Sequence, residues 1–451
     1  MTEVLAAEPA TAPDPVDAVR AALAQVARTE DKVQAFAAVF ADEALAVAQR
    51  QRETGPAGAL AGLPVVVKDI YDVGGYRTGN GSLGAPEHLA TEDSEAVRRI
   101  RAAGAIILGK TTTHEYAYGV CTPPTRNPWS LDRIPGGSSG GTGAAIAAGV
   151  TTAGLGTDTG GSIRIPAALC GVTGHKPTFG TVSRRGVSAL SSTLDHTGPL
   201  GRTVEDTVAL LEVIAGHDPA DPYSNAAPVP DFRSEFDRGL DGLTIGVAEP
   251  YFCDRLAPDV AATFDDAVRS LERAGATIRR VKFTDVELCP HVVNVVCGVE
   301  AATWHAAQTG MSPDKFGDDV QQALAVGAAY TGVEYLEALR ARTAVIAGMD
   351  AMFAEVDVLV SATIAMTAPP YGSTEVELGG TTVRILDGIN ALTVPANVTG
   401  MPALTVPAGF GTDGLPIGLQ LMARPGADAT VLGAGRSFET LAGGVRVPVL
   451  T

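Results

Sequence analysis

Two glycine- and serine-rich tracts, at residues 136–143 and 156–164, hold the side chains of this sequence that are best suited to covalent chemistry. The first reads Gly-Gly-Ser-Ser-Gly-Gly-Thr-Gly and the second Gly-Thr-Asp-Thr-Gly-Gly-Ser-Ile-Arg. Glycine lacks a Cβ atom, so runs of it let backbone N–H groups converge on an anion or an oxyanion. Serine supplies a hydroxyl that becomes a nucleophile when a base removes its proton. The tracts therefore indicate phosphate binding, acyl transfer, or two tight turns with no chemical role.

Phosphate binding is disfavoured by what the tracts lack. A Walker-type loop ends in Gly-Lys followed by Ser or Thr, and neither tract contains a lysine. The dinucleotide fingerprint fails as well, because Gly154 and Gly156 are not followed by glycine at the third position beyond. Acyl transfer is the chemistry that remains, with neighbouring N–H groups stabilising the charge on the attacked carbonyl oxygen.

The first tract also contains a local match to the nucleophile elbow of α/β-hydrolases. Residues 137–141 fit the pattern Gly-x-Ser-x-Gly, which would make Ser139 the nucleophile. That elbow follows a buried strand, whereas residues 130–135 are polar and end in proline. The context argues against Ser139 and leaves Ser162 of the second tract as the alternative.

The predicted elements bring the two tracts close to each other and place a lysine at a strand end. Between the tracts, residues 144–148 begin a helix and residues 150–155 form a strand. A helix of roughly ten residues advances about 15 Å, and a strand of five or six residues returns over a similar distance. The two serine-bearing loops are therefore expected to meet. The valine-rich run 63–67 predicts a buried strand that leads into Lys68.

Helices and strands alternate along most of the remaining chain, which indicates an α/β fold. The alanine-rich stretch 16–51 predicts two amphipathic helices, and residues 216–239 are interpreted as a surface excursion rather than a domain boundary. Further elements are predicted at 94–103, 105–108, 243–248, 260–274, 276–281, 351–361, 403–408, 417–422 and 427–441. With no internal repeat and no clear linker, the pattern favours one domain.

Composition disfavours several classes of partner. The chain has 33 basic and 51 acidic side chains, a net charge of −18, and such an acidic field repels nucleic acid and anionic membranes. No stretch approaches the about 20 apolar residues that cross a bilayer. Residues 1–15 are rich in alanine, proline and acids, so we expect a flexible leader rather than a targeting signal. Five cysteines without CxxC spacing predict neither disulfides nor a zinc site and favour a cytoplasmic protein.

Taken together, the motifs resemble those of the amidase signature family. The matching segments are 63–69, 136–141, 158–164, 170–178, 195–199, 400–404 and 414–420. The resemblance extends over about residues 20–441 and implies a single α/β domain, residues 16–451, whose central mixed β-sheet is covered on both faces by helices. Its N-terminal helices are expected at about 16–52 and its signature core at about 60–210.

The resemblance also implies a Ser-cisSer-Lys triad and an oxyanion hole. The triad residues are Ser162 as nucleophile, Ser138 as the bridging serine preceded by a cis peptide bond, and Lys68 as base. The oxyanion hole is formed by the backbone N–H groups of Thr159, Gly160, Gly161 and Ser162. A lysine has an ordinary pKa of about 10.4, so a basic Lys68 must be buried without a partner carboxylate, and the valine run before it supplies that burial. Neither a metal nor a cofactor is expected.

Side chains near the triad are expected to contact substrate or to support the loops. Candidates for substrate contact are Gly137, Ser139, Asp158 and Met366. For Asp158 and Arg164, bracing of the loops is the favoured interpretation. Three histidines lie in matching segments, but a complete triad that lacks histidine leaves them no catalytic role; they are His114, His175 and His196.

The identity of the substrate is left open. Relatives carry a longer link where this chain has residues 120–124, which weakens the transfer of any one relative's substrate, above all that of the glutaminyl-tRNA amidotransferase glutaminase. The alternatives to a free-standing amidase are that glutaminase subunit or a non-catalytic binding subunit with the same fold. The variable segments 292–331 and 365–389 contain only Lys315 and Arg384 as basic residues. We therefore expect a small uncharged amide, carbamate or ureido compound as substrate, and a homodimer as the compatible assembly.

Overall fold

The computed structural model describes residues 3–4, 14–87 and 89–450, and most of the predicted N-terminal leader, 1–15, lies outside these residues. The α-helices are α1 (Pro15–Val33), α2 (Ala41–Thr54), α3 (Glu95–Ala102), α4 (Gly140–Ala147), α5 (Arg164–Cys170), α6 (Val204–Ile214), α7 (Pro258–Arg273), α8 (Cys289–Ala307), α9 (Asp318–Ala329), α10 (Gly332–Phe353), α11 (Ile385–Asn390), α12 (Val394–Thr399) and α13 (Asp428–Leu441). The β-strands are β1 (Glu3–Val4), β2 (Phe36–Val39), β3 (Pro64–Lys68), β4 (Ile106–Thr111), β5 (Ala153–Asp158), β6 (Thr173–Lys176), β7 (His196–Gly201), β8 (Thr244–Ala248), β9 (Thr277–Val281), β10 (Val358–Ala362), β11 (Glu375–Leu378), β12 (Thr381–Arg384), β13 (Ala403–Phe410), β14 (Pro416–Met422) and β15 (Arg446–Val447).

An 11-stranded sheet in the order β2-β4-β3-β5-β7-β6-β13-β14-β10-β8-β9 forms the centre of the molecule. Strands β4, β3 and β5 are parallel to one another, as are β10, β8 and β9, and every other neighbouring pair is antiparallel. The sheet is therefore mixed. Helices flank it, and this arrangement confirms the predicted fold class.

Strand β3 shows how the sheet is covered on both faces. Val65 and Val67 belong to an apolar cluster that includes side chains of α3 and α6, whereas Val66 belongs to a second cluster with α1 and α4. Successive side chains of a strand point to opposite faces, so the two clusters lie on opposite sides of the sheet. All five residues of β3 are buried. A continuous valine run suits such a strand, and it carries Lys68 into the interior.

The N-terminal prediction is correct in part. Two helices do form, but Phe36 and Val39, which belong to the stretch predicted to be helical, lie in β2 and pair antiparallel with β4. Helix α1 ends at Val33 because Gln34 adopts a left-handed backbone with φ of 54°. Pairing with the sheet edge outweighs the local helical periodicity, which is a weak preference that tertiary contacts override.

The two glycine tracts lie at the ends of buried elements. Helix α4 begins at Gly140, earlier than predicted, and β5 ends at Asp158. Helices α4 and α5 are buried along their whole length, which their small and apolar residues permit. The amide of Ser139 donates a hydrogen bond to the carbonyl oxygen of Ser162 at 3.2 Å. The two serine-bearing loops therefore meet, as predicted.

No α-helix within residues 14–87 and 89–450 combines the length and the apolar character needed to cross a membrane. The described part of the chain also contains no group of three or more His, Cys, Asp or Glu side chains placed to hold a metal ion.

Candidate active site

Lys68, the last residue of β3, reaches a hydroxyl of each glycine tract. Its side chain is fully buried. The Nζ atom donates to Ser138 Oγ at 2.7 Å and to Thr157 Oγ1 at 2.8 Å. Both acceptors are neutral, and no carboxylate of the described residues forms an ion pair with this lysine. The surroundings therefore hold the amine in place without compensating a positive charge.

The environment of Lys68 favours its neutral form. Burial lowers the pKa of this side chain to about 7, although the more distant charges of Asp158 and Asp195 raise it. Removing an ammonium group from water disfavours the charged state, and a lysine without an adjacent carboxylate has little to offset that cost. An amine with a pKa near 7 can accept a proton at neutral pH, which an ordinary lysine cannot.

The first tract is shaped by close backbone contacts. The peptide bond between Gly137 and Ser138 is cis. A Cβ atom on Gly137 would lie 2.6 Å from the carbonyl carbon of Val120, so only glycine fits between the two segments. Ser139 Oγ donates to the carbonyl of Thr157 and accepts from its amide, each at 3.2 Å. Gly137 and Ser139, both candidates for substrate contact, thus have packing and loop-linking contacts here.

Asp158 organises the second tract. Its carboxylate accepts hydrogen bonds from the amides of Gly161 at 2.7 Å and Ile163 at 3.1 Å, and it forms an ion pair with Arg164 at 2.9 Å. Burial raises the pKa of Asp158, but the charge and hydrogen bond of Arg164, together with Lys176 and Asn397, keep the pKa well below its usual range. The carboxylate is therefore ionised and holds the loop on which Ser162 lies, which agrees with the bracing interpretation rather than with substrate contact.

The four amides of the predicted oxyanion hole differ in their hydrogen bonding. The Gly161 amide is engaged by Asp158. The amides of Thr159, Gly160 and Ser162 donate to no other residue in the described part of the chain. Thr159, Gly160 and Ser162 also line a common cavity. Three unengaged N–H groups beside one cavity can stabilise a developing oxyanion.

That cavity, which we term the serine pocket, has a volume of about 50 Å³. Its remaining walls are mainly apolar and come from the segment after β4, from α5, from α8 and from α11. The lining residues beyond the second tract are Ala117, Tyr118, Gly119, Val120, Ile165, Leu190, Val293, Asn294, Cys297, Leu386 and Asn390. Met366, predicted as a substrate contact, is not among them and instead packs against two apolar clusters.

A larger cavity of about 250 Å³ adjoins the serine pocket. The two share Ala117, Thr159 and Leu190 as walls. The larger cavity also reaches Thr157, whose hydroxyl contacts Lys68. The two cavities thus lie side by side next to Ser162 and Thr157, and neither is lined by Lys68 or Ser138.

Several residues of the site were not identified from the sequence. Thr157 contacts Lys68. Successive side chains of a strand point to opposite faces, so the position of Thr157 directly before Asp158 indicated that the two side chains lie on different faces of the sheet. Asn294 and Asn390 line the serine pocket from α8 and α11. Nothing in the local sequence around either asparagine pointed to the site, because only the packing of these helices brings them there.

The three histidines of the matching segments have structural contacts. His114 Nδ1 accepts from the amide of Thr122 at 3.3 Å, and its Nε2 lies 3.0 Å from Asp319. His175 lies 3.1 Å from Asp428 in the interior, and His196 Nδ1 lies 2.7 Å from the carbonyl oxygen of Leu194. These contacts give no histidine a hydrogen bond to Lys68, Ser138 or Ser162 in the described residues.

Comparison with known proteins agrees with the fold and the motifs. The family model described as Amidase matches residues 17–432. An amidase of Pseudomonas putida is 41% identical over 436 residues, covering 94% of this chain and 92% of the relative. A glutamyl-tRNA(Gln) amidotransferase subunit of Moorella thermoacetica is 38% identical over 455 residues, covering 94% of this chain and 92% of that relative.

A solved structure is similar over nearly its whole length. It was reported for a vestigial protein complex that reveals the evolutionary origins of an s-triazine catabolic enzyme. It superimposes with a TM-score of 0.91 at 34% identity and covers 97% of each chain. The family model alone spans most of the sequence, and the solved structure shares the fold. The chain belongs to the amidase signature family and is an amide-hydrolysing enzyme.

Proposed function

We propose that the chain hydrolyses a carbon–nitrogen bond of a small uncharged amide or carbamate through Ser162, Ser138 and Lys68. The observation that carries the proposal is the 2.7 Å hydrogen bond from Lys68 Nζ to Ser138 Oγ, formed in the interior without a partner carboxylate. Burial brings the pKa of Lys68 to about 7, so a neutral amine is available at physiological pH. Ser162 lines the adjoining pocket beside unengaged amides.

In the proposed reaction the proton moves along the two serines to the lysine. Ser162 Oγ attacks the substrate carbonyl while its proton passes to Ser138, whose own proton passes to Lys68. The amides of Thr159, Gly160 and Ser162 stabilise the oxyanion. The carbon–nitrogen bond then breaks, the proton returns through Ser138 to the leaving amine, and an acyl-enzyme forms. Water attacks the acyl group by the same route and releases the acid.

The expectation of an uncharged acyl group is supported by the lining of the serine pocket, whereas the larger cavity beside it is lined by the charged side chains of Arg184, Arg185, Asp195 and Asp221. None of the described residues that form the wall of the serine pocket has a charged side chain. A substrate carboxylate or ammonium placed there would lose its hydration without gaining a counter-charge, which is costly. We extend the proposal to a cytoplasmic enzyme that acts without metal or cofactor. We also propose a homodimer as its assembly, and analytical ultracentrifugation measures this oligomeric state directly.

The experiment that tests the proposed function is covalent labelling with a fluorophosphonate followed by peptide mass spectrometry. We expect the label on Ser162, and we expect the Ser162→Ala variant to lose both labelling and amide hydrolysis. Ser139→Ala is the matched control, because Ser139 lies in the neighbouring loop with its hydroxyl on the Thr157 backbone. That variant should still be labelled at Ser162. Labelling at Ser139, or full activity of Ser162→Ala, would contradict the proposed roles.

A second candidate function, the glutaminase component of a tRNA-dependent amidotransferase, is favoured by the relative from Moorella thermoacetica at 38% identity. Such a component would work in a complex and would release ammonia from glutamine. A purified lone chain that hydrolyses simple amides faster than glutamine would exclude it. A chain that acts only on glutamine, and only with a partner present, would replace our proposal.

A further inference from the structure

Two asparagine side chains, Asn294 of α8 and Asn390 of α11, line the serine pocket. Both side chains are partly buried. Asn390 Nδ2 lies 3.8 Å from the position that a Cβ atom on Gly160 would occupy. This asparagine is therefore next to an amide of the proposed oxyanion hole. The two carboxamides come from helices that are distant in sequence and converge on one small space.

Neither side-chain amide has a partner in the protein. Within residues 3–4, 14–87 and 89–450, no hydrogen bond is formed by Oδ1 or Nδ2 of Asn294 or Asn390. Other inward-facing asparagines behave differently. Asn397 donates to Asp158 and accepts from Arg164, and Asn127 donates to two carbonyl oxygens. Asn127 and Asn397 thus have partners inside the protein, whereas Asn294 and Asn390 present free donors and acceptors to the pocket.

We infer that Asn294 and Asn390 form a subsite for a second uncharged amide or ureido group on the acyl portion of the substrate, an inference that rests on the proposed function. A carboxamide offers both a donor and an acceptor, and so does its natural complement, another carboxamide or a urea. A carboxylate in the same place could accept from the two Nδ2 groups, but it would leave both Oδ1 atoms without a donor and its own charge without a cation. An alkyl group would leave the asparagines without hydrogen-bond partners. Sites built for hydrogen bonding strongly reject substrates that lack the matching polar group.

The size of the pocket limits the acyl group. A volume of about 50 Å³ is small and suits a short acyl group with few non-hydrogen atoms. The part of malonamide beyond the attacked carbonyl, a methylene and a carboxamide, has four such atoms. Malonamide is therefore a suitable probe. Isovaleramide is its apolar isostere and malonamate its anionic one, so the three compounds differ only in the group that would meet the asparagines.

The test compares kcat/KM for these three amides in the wild-type enzyme and in the variants Asn294→Leu and Asn390→Leu. We expect the wild type to prefer malonamide to isovaleramide by about 10–100-fold, and each leucine variant to reduce that ratio at least tenfold. Val293→Ala is the matched control. It enlarges the same pocket without changing its polarity, so rates can change while the ratio between malonamide and isovaleramide stays within about threefold.

The possible outcomes separate this inference from the proposed function. Equal hydrolysis of malonamide and isovaleramide by the wild type, or a ratio unchanged in both leucine variants, would overturn the subsite while leaving Ser162 chemistry intact. A preference for malonamate would also overturn it. If turnover is too slow to measure, protection of Ser162 from fluorophosphonate by the same compounds gives the same ranking. Absence of labelling at Ser162 would instead count against the proposed function.

Discussion

Lys68 and Arg164 are both fully buried, both contact the segment between residues 157 and 164, and differ in what surrounds them. Lys68 meets two hydroxyls. Arg164 meets the carboxylate of Asp158, at 2.9 Å, and three further oxygens, those of Thr393, Gln420 and Asn397, at 2.6 to 2.8 Å. A buried cation is retained where it is paired and hydrogen-bonded, and is neutralised where it is not. The arginine therefore stabilises the loop, while the lysine is suited to proton transfer.

Lys176 sharpens this comparison because it is buried to the same degree as Lys68. Its Nζ atom donates to the carbonyl oxygens of Met401 at 2.6 Å and Pro177 at 3.2 Å. Burial lowers its pKa well below the ordinary lysine value, and the charge of Arg164 adds to this. Burial thus favours the neutral amine at both lysines, and only the one next to Ser138 is placed to serve as a base.

The largest effect is expected from Lys68→Met. Removing the proposed base should reduce kcat/KM by about 10³-fold or more, since positioned general bases contribute about 10²–10⁴-fold. The melting temperature should stay unchanged or rise, because a buried ionisable group is replaced by an apolar one of similar length. Lys176→Met is the control for burial and should retain activity within about tenfold. Equal losses in the two variants would remove the distinction between these lysines.

Arg164→Met should affect stability instead. Leaving the Asp158 carboxylate buried without its partner should lower the free energy of unfolding by about 3–5 kcal/mol, measured from urea denaturation. The double variant Asp158→Asn/Arg164→Met should be less destabilised than Arg164→Met alone, because no uncompensated charge is left. If Arg164→Met unfolds at the same urea concentration as the wild type, the hydrogen bonds and ion pair of Arg164 do not stabilise the fold.

The pH dependence of kcat/KM distinguishes a lysine that is neutral near pH 7 from one that is kept protonated by a carboxylate. Because only unprotonated Lys68 can accept a proton, kcat/KM should fall about tenfold per pH unit below an apparent pKa of about 7 and level off above it. The folded pKa lies below the unfolded value, so folding releases a proton between about pH 7 and 10.4. The free energy of unfolding should therefore rise with pH across this window, a contribution that Lys68→Met lacks. A flat profile from pH 5 to 8 would be inconsistent with this lysine as base.

Thr157→Val is expected to have the smallest effect. It removes one of the two acceptors that orient the Lys68 amine while preserving the shape of the side chain. We expect a loss of about tenfold in kcat/KM and less than about 1.5 kcal/mol in stability, as for a single neutral hydrogen bond. Thr157→Ser keeps the hydroxyl and should restore most of the activity. A valine variant as active as wild type would show that Ser138 alone orients the lysine.

The incorrect helix prediction near the N-terminus and the failure to identify the two asparagines of the serine pocket have the same cause. Phe36 and Val39 fit a helical pattern locally but pair with β4, and Asn294 and Asn390 lack any local signal but share a pocket. In both cases the deciding partners are far away in the sequence. Periodicity and motif spacing describe the nearest turn or strand only, so such contacts cannot be derived from them.

The sequence by itself determined the α/β class, the family, the meeting of two glycine tracts, and a lysine carried into the interior by a valine strand. Each of these depends on local patterns: alternation, missing Cβ atoms, and consecutive apolar residues. Only the tertiary structure decided which buried cation is paired, which amides are left without acceptors, and which side chains face the serine pocket. Those properties depend on atoms brought within about 3 Å from distant segments, and both the pKa of Lys68 and the polarity of the pocket are consequences of that packing.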